Sequence, residues 1–588
     1  MEIKNGRWQL RNIMKHPAKP LQDRLGTVLR VASAFLLVSG LALDALAQPV
    51  IPSVLTWHND QFRTGQNLQE TILTPANVNA TQFGKLFSYK VNGQIYAQPL
   101  YVPGVTIQGQ GVHNVVYVAT EADSVYAFDA DNATANPTPL WYTSFTNPPN
   151  VVAVPSNCAN SACTIAPTQG ITGTPVISTA TQSIYLVART QETSASTGKV
   201  SYYYRLHALD ITSGAEKPGS PVVICGVTSP STGCLIGAGR LNAVTGNQRP
   251  GLLLLPQTGT SAGVVYIGFV NAGSLLAYDA ASLKQLATWT SVPNPEVNVL
   301  NLKVSGGIWG SGGGLAAGDA GNIFVSVGDG YWDAGTGGVN YGDSVVRLRL
   351  VAGATKGTFQ LAVQDYFTPS DQACRAENDV DLGSGGPMIL PQQPGAVQHE
   401  LVIAGKGALI CDSASPIEVV NTQNMGKLGG QVQSVQGAPN GYWGSPAYWE
   451  AAPAKRYIYY AGLNFGHLGD YLRQYALVQG AIEPVTSIAE TPEKFGVGAT
   501  PSISANGTTN GIVWAIERTQ WLNASISTAP AILHAYDARN VALELYNSGM
   551  NPTRDKAGNA AKFNVPTVVN GKVYIGTQSE LDVYGLLP

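Results

Sequence analysis

The sequence predicts an all-β protein built from repeated, turn-rich antiparallel sheets, and three observations support this prediction. Only 12% of the 588 residues are charged, and 65 glycines and 36 prolines are spread along a chain rich in strand-forming residues. Such a composition favours β-structure with many turns. A short strand pattern of β-branched and aromatic residues recurs along the chain, and the last repeat ends one strand short.

The recurring strand appears eight times. Its copies are VVYVAT (115–120), SIYLVA (183–188), VVYIGF (264–269), NIFVSV (322–327), LVIAGK (401–406), YIYYAG (457–462), IVWAIE (512–517) and KVYIGT (572–577). A second strand ending in an aspartate signature follows several copies, as in VYAFDA and LHAYDA, and a third often comes after it. A strand with an embedded proline, such as ITGTPVIS, precedes many copies. Four strands per repeat, at an average spacing of about 65 residues, are typical of a β-propeller with long loops.

Closure of the predicted propeller needs one strand from the start of the chain. The last repeat, 563–588, contains three strands, and the outer one is missing. The stretch GKLFSYK, 84–90, is similar to the outer strands LWYTSF and LELYNS of other repeats. Pairing it with the last repeat would remove an open sheet edge. We therefore predict a single domain over 48–588, an eight-bladed propeller of four-stranded antiparallel blades closed by this N-terminal strand, with seven blades as the alternative.

Residues 1–47 are predicted to be an export signal peptide. Seven lysines and arginines lie between positions 4 and 30, and the apolar run 31–43 is followed by the small-residue pattern Ala45-Leu46-Ala47. This order of basic, apolar and small residues is typical of exported proteins. The apolar run is too short for a permanent membrane helix, which needs about 20 residues. We predict a periplasmic or extracellular protein without a membrane span.

The six cysteines are predicted to form disulfides, because the number is even and an exported protein meets an oxidising compartment. The predicted pairs are Cys158–Cys163, Cys225–Cys234 and Cys374–Cys411. No CxxC or CxxCH motif occurs, so a thiol redox site, a zinc ribbon or a c-type haem is not expected. The formal net charge is −3, which gives no sign of a nucleic-acid partner.

Two features of the chain resemble a known family. The segment WHNDQFRTGQN, 57–67, with the later ILTPANVNATQFGKLF, 72–87, and the aspartate signature followed by LW resemble the quinoprotein alcohol dehydrogenase-like propellers, which carry pyrroloquinoline-quinone-type repeats. The resemblance extends over nearly the whole chain after residue 47. It implies the propeller fold and, for a working enzyme, oxidation of a small alcohol or sugar with pyrroloquinoline quinone and calcium. Because scaffold propellers share the repeats, they indicate fold more strongly than activity.

The same resemblance implies residues around the quinone. Trp309, in the glycine-rich stretch GGIWGSGGG, occupies the place of the tryptophan on which the quinone stacks. Thr172, in ITGTP, lies where the family has a threonine near the cofactor. Lys406, at the end of LVIAGK, matches the basic residue beside the quinone carbonyls. A phosphate loop is not expected at GGIWGSGGG, since a strand follows it and the Lys-Ser/Thr and helix of such a loop are missing.

The resemblance also implies a calcium site and a catalytic base. Glu192 and Asp329 match the positions of the calcium ligands, and carboxylate oxygens are what calcium prefers. Asp379 lies near the family's catalytic aspartate, with Asp381 as its rival, and either carboxylate would accept the proton of the alcohol. Calcium would polarise a quinone carbonyl as a Lewis acid. We expect these carboxylates to converge with Thr172, Trp309 and Lys406, with an open slot above the indole ring.

Some features depart from the family pattern. The chain has no adjacent cysteine pair, which in the working quinoproteins covers the cofactor, and Asp329 is a carboxylate where the family has an amide. Plainer roles also stay open. Trp309 would fill the inner side of a blade, the aspartates would cap turns, and Glu192 and Lys406 would be solvated charges. His207 and His534 occupy the same place in two repeats, which indicates a structural role.

Three functions therefore remain. The first is a quinone- and calcium-dependent dehydrogenase that acts on an alcohol or sugar and passes electrons to a separate acceptor. The second is a non-catalytic exported propeller that binds a protein or glycan on its loop face. The third is a hydrolase or lyase that uses the same central funnel. The missing cysteine pair favours the second function, whereas the ordered run of matching residues favours the first.

Overall fold

The computed structural model describes most of the chain from residue 51 to residue 588. Within that range it leaves out 133–136, 157–164, 229–232, 242–245, 258, 271–272, 295–305, 407–410, 412–416, 436, 438–443, 453–454, 463–468, 497 and 519–528. The predicted signal peptide, 1–47, lies outside the described residues, as does the predicted pair Cys158–Cys163. Both therefore stay predictions.

Eight β-sheets of four or more strands are found in the described part of the chain, and we number them in chain order. Sheet 1 contains Leu100–Ile107, Gly111–Thr120, Ser124–Asp129 and Trp141–Ser144. Sheet 2 contains Val151–Pro155, Thr168–Gln169, Val176–Ser178, Ser183–Thr193, Val200–Asp210 and Val222–Val227. Sheet 3 contains Leu253–Leu255, Val264–Phe269, Ser274–Asp279 and Gln285–Thr290. Sheet 4 contains Ala316–Ala317, Asn322–Ser326, Val345–Ala352, Phe359–Thr368 and Lys427–Leu428.

The second half of the chain follows the same plan. Sheet 5 contains Met388–Ile389, Glu400–Ile403, Ile417–Asn421 and Gln433–Val435. Sheet 6 contains Ala447–Ala452, Lys455–Ala461, Asp470–Val478, Ala481–Ile482 and Ala489–Phe495. Sheet 7 contains Ser502–Asn506, Thr509–Glu517, Ile532–Asp537, Glu544–Asn547 and, as a parallel strand, Gln66–Asn67. Sheet 8 contains Thr567–Val569, Lys572–Gly576, Glu580–Leu586 and Phe83–Lys90.

The remaining described elements are small. They are a hairpin of Cys234–Ile236 and Gly239–Leu241, the α-helices Gln372–Glu377 and Pro552–Asp555, and the 3-10 turns Gly310–Gly312, Asp319–Gly321, Ala334–Thr336 and Leu382–Ser384. Among the described residues, no helix has the length and apolar character needed to cross a membrane. The prediction of an all-β fold of mainly four-stranded antiparallel sheets is thus confirmed, and each of the eight predicted repeats lies in its own sheet.

Hydrophobic contacts link each sheet to the next one. Sheets 2 and 3 share a buried cluster that includes Tyr185 and Ile267, and sheets 3 and 4 share one that includes Tyr266 and Val325. Similar buried clusters join sheets 4 and 5, 5 and 6, 6 and 7, and 7 and 8. A further cluster contains Tyr574 of sheet 8 together with residues of sheets 1 and 2. The core therefore lies between the faces of neighbouring sheets, and sheet 8 packs against sheet 1.

The predicted pairing of the N-terminal strand with the last repeat is confirmed. Phe83–Lys90 runs antiparallel to Glu580–Leu586, from Phe83 opposite Leu586 to Lys90 opposite Glu580. The Lys85 ammonium lies 2.5 Å from the carboxylate of Asp582, which is fully buried. The strand thus covers the hydrogen-bonding edge that the last repeat would otherwise expose.

The segment 54–67, which contains the WHNDQFRTGQN motif, touches all eight sheets in turn. Its backbone forms hydrogen bonds with Tyr101, Ala317, Ile389, Tyr448 and Ile503 in the first strands of sheets 1, 4, 5, 6 and 7, and with Ile177 in the strand Val176–Ser178 of sheet 2. The Arg63 guanidinium donates to the Leu252 carbonyl beside sheet 3, and the Asn67 amide donates to the Val568 carbonyl of sheet 8. Arg63 and His58 are fully buried. We call this segment the N-terminal plug, because it lies against the first strands of successive sheets.

Two of the three predicted disulfides are present. Cys225 and Cys234 are bonded with their Cα atoms 5.6 Å apart, and Cys374 and Cys411 are bonded with a Cα separation of 5.8 Å. The first closes a short loop beside sheet 2. The second joins the helix Gln372–Glu377 to the chain between the strands Glu400–Ile403 and Ile417–Asn421 of sheet 5.

Candidate functional site

Three aspartates and a lysine meet in loops that follow strands of sheets 4 and 5. Asp329 follows strand Asn322–Ser326, and Lys406 follows strand Glu400–Ile403. Asp379 and Asp381 lie in the loop after the helix Gln372–Glu377. At least one carboxylate oxygen from each of the three aspartates lies within 4.8 Å of the others. We call Asp329, Asp379 and Asp381 the aspartate cluster.

Lys406 is the cation of this cluster. Its Nζ lies 2.6 Å from Asp379 Oδ1 and 2.5 Å from Asp381 Oδ2. The other oxygen of Asp381 accepts the backbone N–H of Asp329 at 2.7 Å, and the Asp381 carbonyl accepts the backbone N–H of Lys406 at 2.8 Å. The disulfide Cys374–Cys411 ties together the two chain segments that carry these residues. The cluster is therefore held by backbone contacts as well as by charge.

The four groups have strongly displaced pKa values. Burial opposes ionisation of Asp381, but Lys406 and the bonds from Asp329 outweigh it and lower the pKa to about 2. Burial and the neighbouring Asp381 raise the pKa of Asp329 to about 10. Burial also raises the pKa of Asp379, although Lys406 opposes the shift. The two aspartates overcome the effect of burial on Lys406 and raise the pKa of its ammonium. At neutral pH, Asp381 and Lys406 form an ion pair, and Asp329 holds a proton next to them.

A fourth acid, Asp343, lies behind the cluster. It is fully buried, its Oδ1 accepts the backbone N–H of Leu382 at 3.1 Å, and burial raises its pKa well above the usual value. Its Oδ2 is buried without a hydrogen-bond partner in the part of the chain described. The region therefore contains more carboxylate oxygens than its hydrogen bonds and Lys406 satisfy.

Trp309 lies beside the aspartate cluster and is partly exposed. A Cβ added to Gly328 would stand 2.6 Å from Asp381 Oδ1 and 2.9 Å from Trp309 Cδ1, so only glycine allows these groups to approach this backbone. Next to the ring, no described atom lies within 4 Å of where a Cβ of the buried Gly310 would stand. At Gly314 a Cβ would meet the Arg63 guanidinium at 2.8 Å. The glycines around Trp309 thus allow Asp381 to lie close to the backbone on one side and Arg63 of the N-terminal plug on the other.

One face of the Trp309 ring is covered, which differs from the expected open slot. The Arg249 guanidinium carbon lies 4.8 Å from the centroid of the Trp309 ring and 5.4 Å from that of Phe563. Arginine is attracted to aromatic faces electrostatically, and burial strengthens the attraction. Any planar ligand that stacks on Trp309 therefore has to use its other face.

Arg249 belongs to a group of three buried cations that sequence reasoning did not identify. Arg249, Arg518 and Lys562 are only 3%, 4% and 3% exposed, and we call them the cationic cluster. Burial and the two arginines lower the pKa of Lys562 to about 6. Burial lowers the pKa of Arg518 to about 10. The Tyr96 ring packs edge-on against Phe563, with 5.9 Å between the ring centroids.

Thr172 lies next to a buried glutamate, Glu121. Glu121 accepts the backbone N–H of Gly170 at 2.8 Å and is fully buried. Burial raises the pKa of Glu121 to about 7, against the opposing effects of Gly170, Thr172 and the arginines Arg189 and Arg249. Thr172 is thus linked to Trp309 through Glu121 and Arg249.

Glu192 is the predicted site residue that does not join the others. Its carboxylate lies 2.5 Å from the Arg205 guanidinium on the neighbouring strand and 3.1 Å from the Thr190 hydroxyl. It is not part of the described group of carboxylates around Asp329. The structure therefore does not bring together the predicted pair of calcium ligands, since the long strand Ser183–Thr193 carries Glu192 into an ion pair within its own sheet.

The two repeat histidines have different surroundings. His207 Nδ1 lies 2.6 Å from Glu216, whereas His534 lies 2.7 Å from Glu544, 3.0 Å from Glu517 and 3.4 Å from Glu493. Despite the opposing effect of burial, these glutamates raise the pKa of His534 to about 9. A protonated imidazole has no free lone pair for a metal ion. The His534 group is therefore an ion-pair network between sheets 6 and 7, in keeping with the structural role predicted for it.

One signal in the sequence could have identified several missed residues. Glu121, Arg189 and Arg518 directly follow the recurring strand in their repeats, one place after the position that Lys406 takes in its own repeat. Charged residues at equivalent strand ends of neighbouring repeats are brought to the same side of a repeat fold. No comparable signal marks Arg249 and Lys562, which lie in the segments leading into sheets 3 and 8.

The fold is similar to that of a known quinoprotein. Quinohemoprotein alcohol dehydrogenase from Comamonas testosteroni superposes with a TM-score of 0.54 at 13% identity, over 92% of this chain and 81% of the other. The dihydro-heme d1 dehydrogenase NirN gives a TM-score of 0.40 at 11% identity over 80% and 73% of the two chains, and Chaetomium thermophilum Sqt1 gives 0.39 at 9% identity over 86% and 98%. No protein-family model and no curated protein matches the sequence. The first likeness supports a β-propeller fold.

Proposed function

We propose that this chain is an exported, eight-bladed, quinoprotein-like β-propeller that oxidises an alcohol or sugar with the help of pyrroloquinoline quinone and calcium. The observation that carries the proposal is the convergence of Trp309, Asp329, Asp381 and Lys406 from three separate parts of the chain. These residues were singled out by the resemblance of the sequence to the quinoprotein propellers. Their meeting is expected of a working site and not of residues chosen at random.

The closed, eight-bladed arrangement is supported by three sets of contacts. Each sheet shares a hydrophobic cluster with the next, and sheet 8 packs against sheet 1. The N-terminal strand pairs with the last repeat. The N-terminal plug touches the sheets in chain order. A ring of eight blades explains all three, because the first strands of such a ring surround one axis.

The aspartate cluster fits a calcium ion. Calcium binds carboxylate and carbonyl oxygens, and three carboxylates have oxygens within 4.8 Å of one another here. The buried Oδ2 of Asp343, which lacks a hydrogen-bond partner among the described residues, shows that acceptors are in excess in this region. Asp329 would hold the ion, because Asp379 and Asp381 already contact Lys406. Glu192, the second predicted ligand, has no part in this proposal.

Trp309 fits a planar cofactor on the ring face that Arg249 leaves free. An aromatic face favours offset stacking with another flat ring, and Arg249 lies over only one face of the indole. When bound, the quinone would supply the two-electron acceptor, and calcium would polarise a quinone carbonyl. Lys406 would stand on the same side of the site as a fixed positive charge, held there by Asp379 and Asp381.

Asp381 is the better placed of the two candidate bases. Its carboxylate lies at the Trp309 edge, and Lys406 keeps it ionised, so it would accept the hydroxyl proton of a substrate. Asp379 has a 74% exposed side chain and contacts Lys406 from the solvent side. It would help to orient the ammonium. The chain has no CxxCH motif, so electrons would pass to a separate acceptor.

Export is supported by the leader pattern of 1–47 and by the disulfides Cys225–Cys234 and Cys374–Cys411. Structural disulfides form and persist in oxidising compartments such as the periplasm or the extracellular space. Detection of the protein in a periplasmic or secreted fraction, with its N-terminus at Gln48, would test this part of the proposal.

The decisive experiment is reconstitution of the purified protein with pyrroloquinoline quinone and calcium. Dye reduction would be followed with a panel of alcohols and sugars, for the unchanged protein and for Asp381→Asn. The matched control is Asp365→Asn, which removes an aspartate that contacts Lys427 at 2.9 Å on the outer part of sheet 4. We expect activity in the unchanged protein and in the control but not in Asp381→Asn. A protein that binds no quinone and reduces no dye would instead favour a propeller that binds a protein or glycan.

A further inference from the structure

A lysine, an aspartate and a glutamate lie in contact between the two strands that close sheet 8. Lys85 Nζ lies 2.5 Å from Asp582 Oδ1 and 3.4 Å from Glu580 Oε1. The Asp582 side chain is fully buried, and those of Glu580 and Lys85 are 9% and 15% exposed. Lys85 belongs to the N-terminal strand, and the two acids belong to the last strand of the chain. We call these three residues the Lys85 triad.

The pairing of the two strands holds the triad together. Glu580 and Asp582 are two residues apart in one strand, so their side chains share a face of the sheet. Lys85 stands opposite Tyr584, which places its side chain diagonally across from Asp582. Lys85 Nζ also donates a hydrogen bond to the Lys556 carbonyl at 3.0 Å. The amine is therefore fixed beside the carboxyl group of Asp582.

The two oxygens of Asp582 have different surroundings. Oδ2 accepts the backbone N–H of Gly558 at 2.8 Å. Oδ1 has no partner with hydrogen-bond geometry among the described residues, although Lys85 Nζ lies 2.5 Å away. Burial raises the pKa of Asp582 to about 7, against the opposing effect of Lys85. Because a neutral carboxyl group accepts a nucleophile at its carbon far more readily than a carboxylate, burial favours the reactive form.

We propose that Lys85 and Asp582 condense to an isopeptide bond, which closes the fold covalently through sheet 8. One proton passes from the Lys85 ammonium to Asp582 and leaves an uncharged amine beside a neutral carboxyl group. Lys85 Nζ then forms a bond to Asp582 Cγ, and the bond from Cγ to Oδ1 breaks. Glu580 accepts the second proton from Nζ and delivers it to Oδ1, which leaves as water. Nothing is oxidised or reduced.

The neighbours of Asp582 suit this step. The Gly558 N–H would stabilise the negative charge that develops on Oδ2 when Nζ attacks. Burial opposes ionisation of Glu580, but bonds with Lys90 and Asp582 outweigh it and lower its pKa, so its carboxylate is available to take a proton. Fixed contact replaces a chance encounter of the reacting groups. Exclusion of water from the buried carboxyl group protects the bond from hydrolysis.

Two other close lysine–aspartate pairs lack one of these features. Lys572 Nζ lies 2.7 Å from Asp131 Oδ1, but the Asp131 side chain is 46% exposed. Lys406 Nζ lies 2.5 Å from Asp381, whose pKa is lowered to about 2, so this group stays an unreactive carboxylate. No isopeptide bond is expected at either pair. Both therefore serve as internal controls.

Peptide mass spectrometry of the purified protein tests the proposal without quinone, calcium or substrate. Trypsin should fail to cut after Lys85, because its amine is blocked. Digestion should instead yield peptide 64–90 joined to peptide 573–588, with a mass one water molecule below the sum of the two. Cleavage after Lys572 and Lys406 should proceed normally.

Three variants separate the roles of the triad. Lys85→Arg keeps the positive charge without the amine and should give no joined peptide. Glu580→Gln removes the proton carrier and should slow formation of the bond by about 100-fold or more. The matched control is Lys90→Arg, which changes a 65% exposed lysine that contacts the same glutamate, and it should still form the bond. Because the bond closes a very long loop, Lys85→Arg should melt about 5 °C below the unchanged protein.

Several results would count against the proposal. Normal tryptic cleavage after Lys85 in the unchanged protein would overturn it. Equally fast bond formation in Glu580→Gln would contradict the proton transfer assigned to Glu580. A second bond between Lys572 and Asp131 would show that closeness decides the reaction and burial does not. None of these measurements involves dye reduction, so this inference stands or fails separately from the proposed function.

Discussion

Lys406 and Lys562 are both largely buried, but their surroundings are opposite. Lys406 contacts two aspartates at 2.6 and 2.5 Å, and these raise the pKa of its ammonium. Lys562 faces two arginines, and its pKa falls to about 6. The first lysine is neutralised within the protein and fixes the position of Asp381. The pKa of the second shifts in the opposite direction, mainly because of burial.

The difference shows which buried charge is neutralised by other groups of the protein itself. A cation surrounded by its own carboxylates is a structural and positioning element, since its charge is satisfied before any ligand arrives. The shift at Lys562 follows mainly from burial, which disfavours the charged form of any amine.

The largest effect is expected from replacing Asp381, the proposed base, which forms an ion pair with Lys406. Asp381→Asn should reduce dye-linked turnover by about 100-fold or more, because a general base contributes about 10²- to 10⁴-fold. Asp379→Asn should reduce it by less than about 10-fold, since Asp379 lies on the exposed side of Lys406. The two variants would be compared at saturating quinone and calcium. A greater loss in Asp379→Asn would reverse the assignment of the two aspartates.

Replacing each lysine by methionine compares the two clusters directly. Lys406→Met leaves Asp379 and Asp381 without their cation and should lower the free energy of unfolding by about 3 kcal/mol. Burial lowers the pKa of Lys562 to about 6, so Lys562→Met removes an amine that is mostly uncharged at pH 7 and should change that free energy by less than about 1 kcal/mol. Denaturant unfolding at pH 7 without ligand would measure both. Equal losses in the two variants would show that the lysines do not differ as described.

His534 is a third buried cation, and like Lys406 it contacts carboxylates of the protein. Its glutamates raise its pKa from 6.5 to about 9 in the folded protein. Because the pKa of His534 is higher in the folded protein, its protonation stabilises the fold. This stabilisation is fully present below about pH 6.5, the unfolded value, and is lost as the pH rises through about 9. We expect the wild type to lose about 2 kcal/mol over this range relative to His534→Gln. His207→Gln, at the equivalent repeat position with one glutamate, is the control, and a similar pH response in both variants would argue against the network.

The smallest effect concerns the cross-link beside Lys406. The Cys374–Cys411 bridge has a sequence separation of 37 and Cys225–Cys234 one of 9. The longer closed loop gives the larger loss of unfolded-state entropy, so removing the first bridge with paired alanines should cost about 1 kcal/mol more than removing the second. Thermal or denaturant unfolding of the two double variants would measure this. An equal or reversed order would show that the first bridge does not stabilise the aspartate cluster.

Much of the fold was predictable because its signals are local and repeated. Period-two strands at regular intervals predicted the eight sheets, and the missing strand of the last repeat predicted the pairing of 84–90. The role of 54–67 was not predictable in this way. Its residues show no repeat, and its contacts with eight sheets depend on distances across the whole fold.

The candidate site was likewise predictable only in part. The sequence by itself determined the repeats, since these depend on local strand patterns along the chain. Closeness along the chain predicted Cys225–Cys234, and Cys374–Cys411 followed as the remaining pair. The resemblance to the quinoprotein propellers predicted the roles of Trp309, Asp329, Asp381 and Lys406. Only the tertiary structure decided that Glu192 pairs with Arg205 within its own sheet, that Arg249 covers Trp309, and that Lys562 lies beside two arginines. These are contacts between segments far apart in the chain, where packing and burial set the partners and the charge of each group.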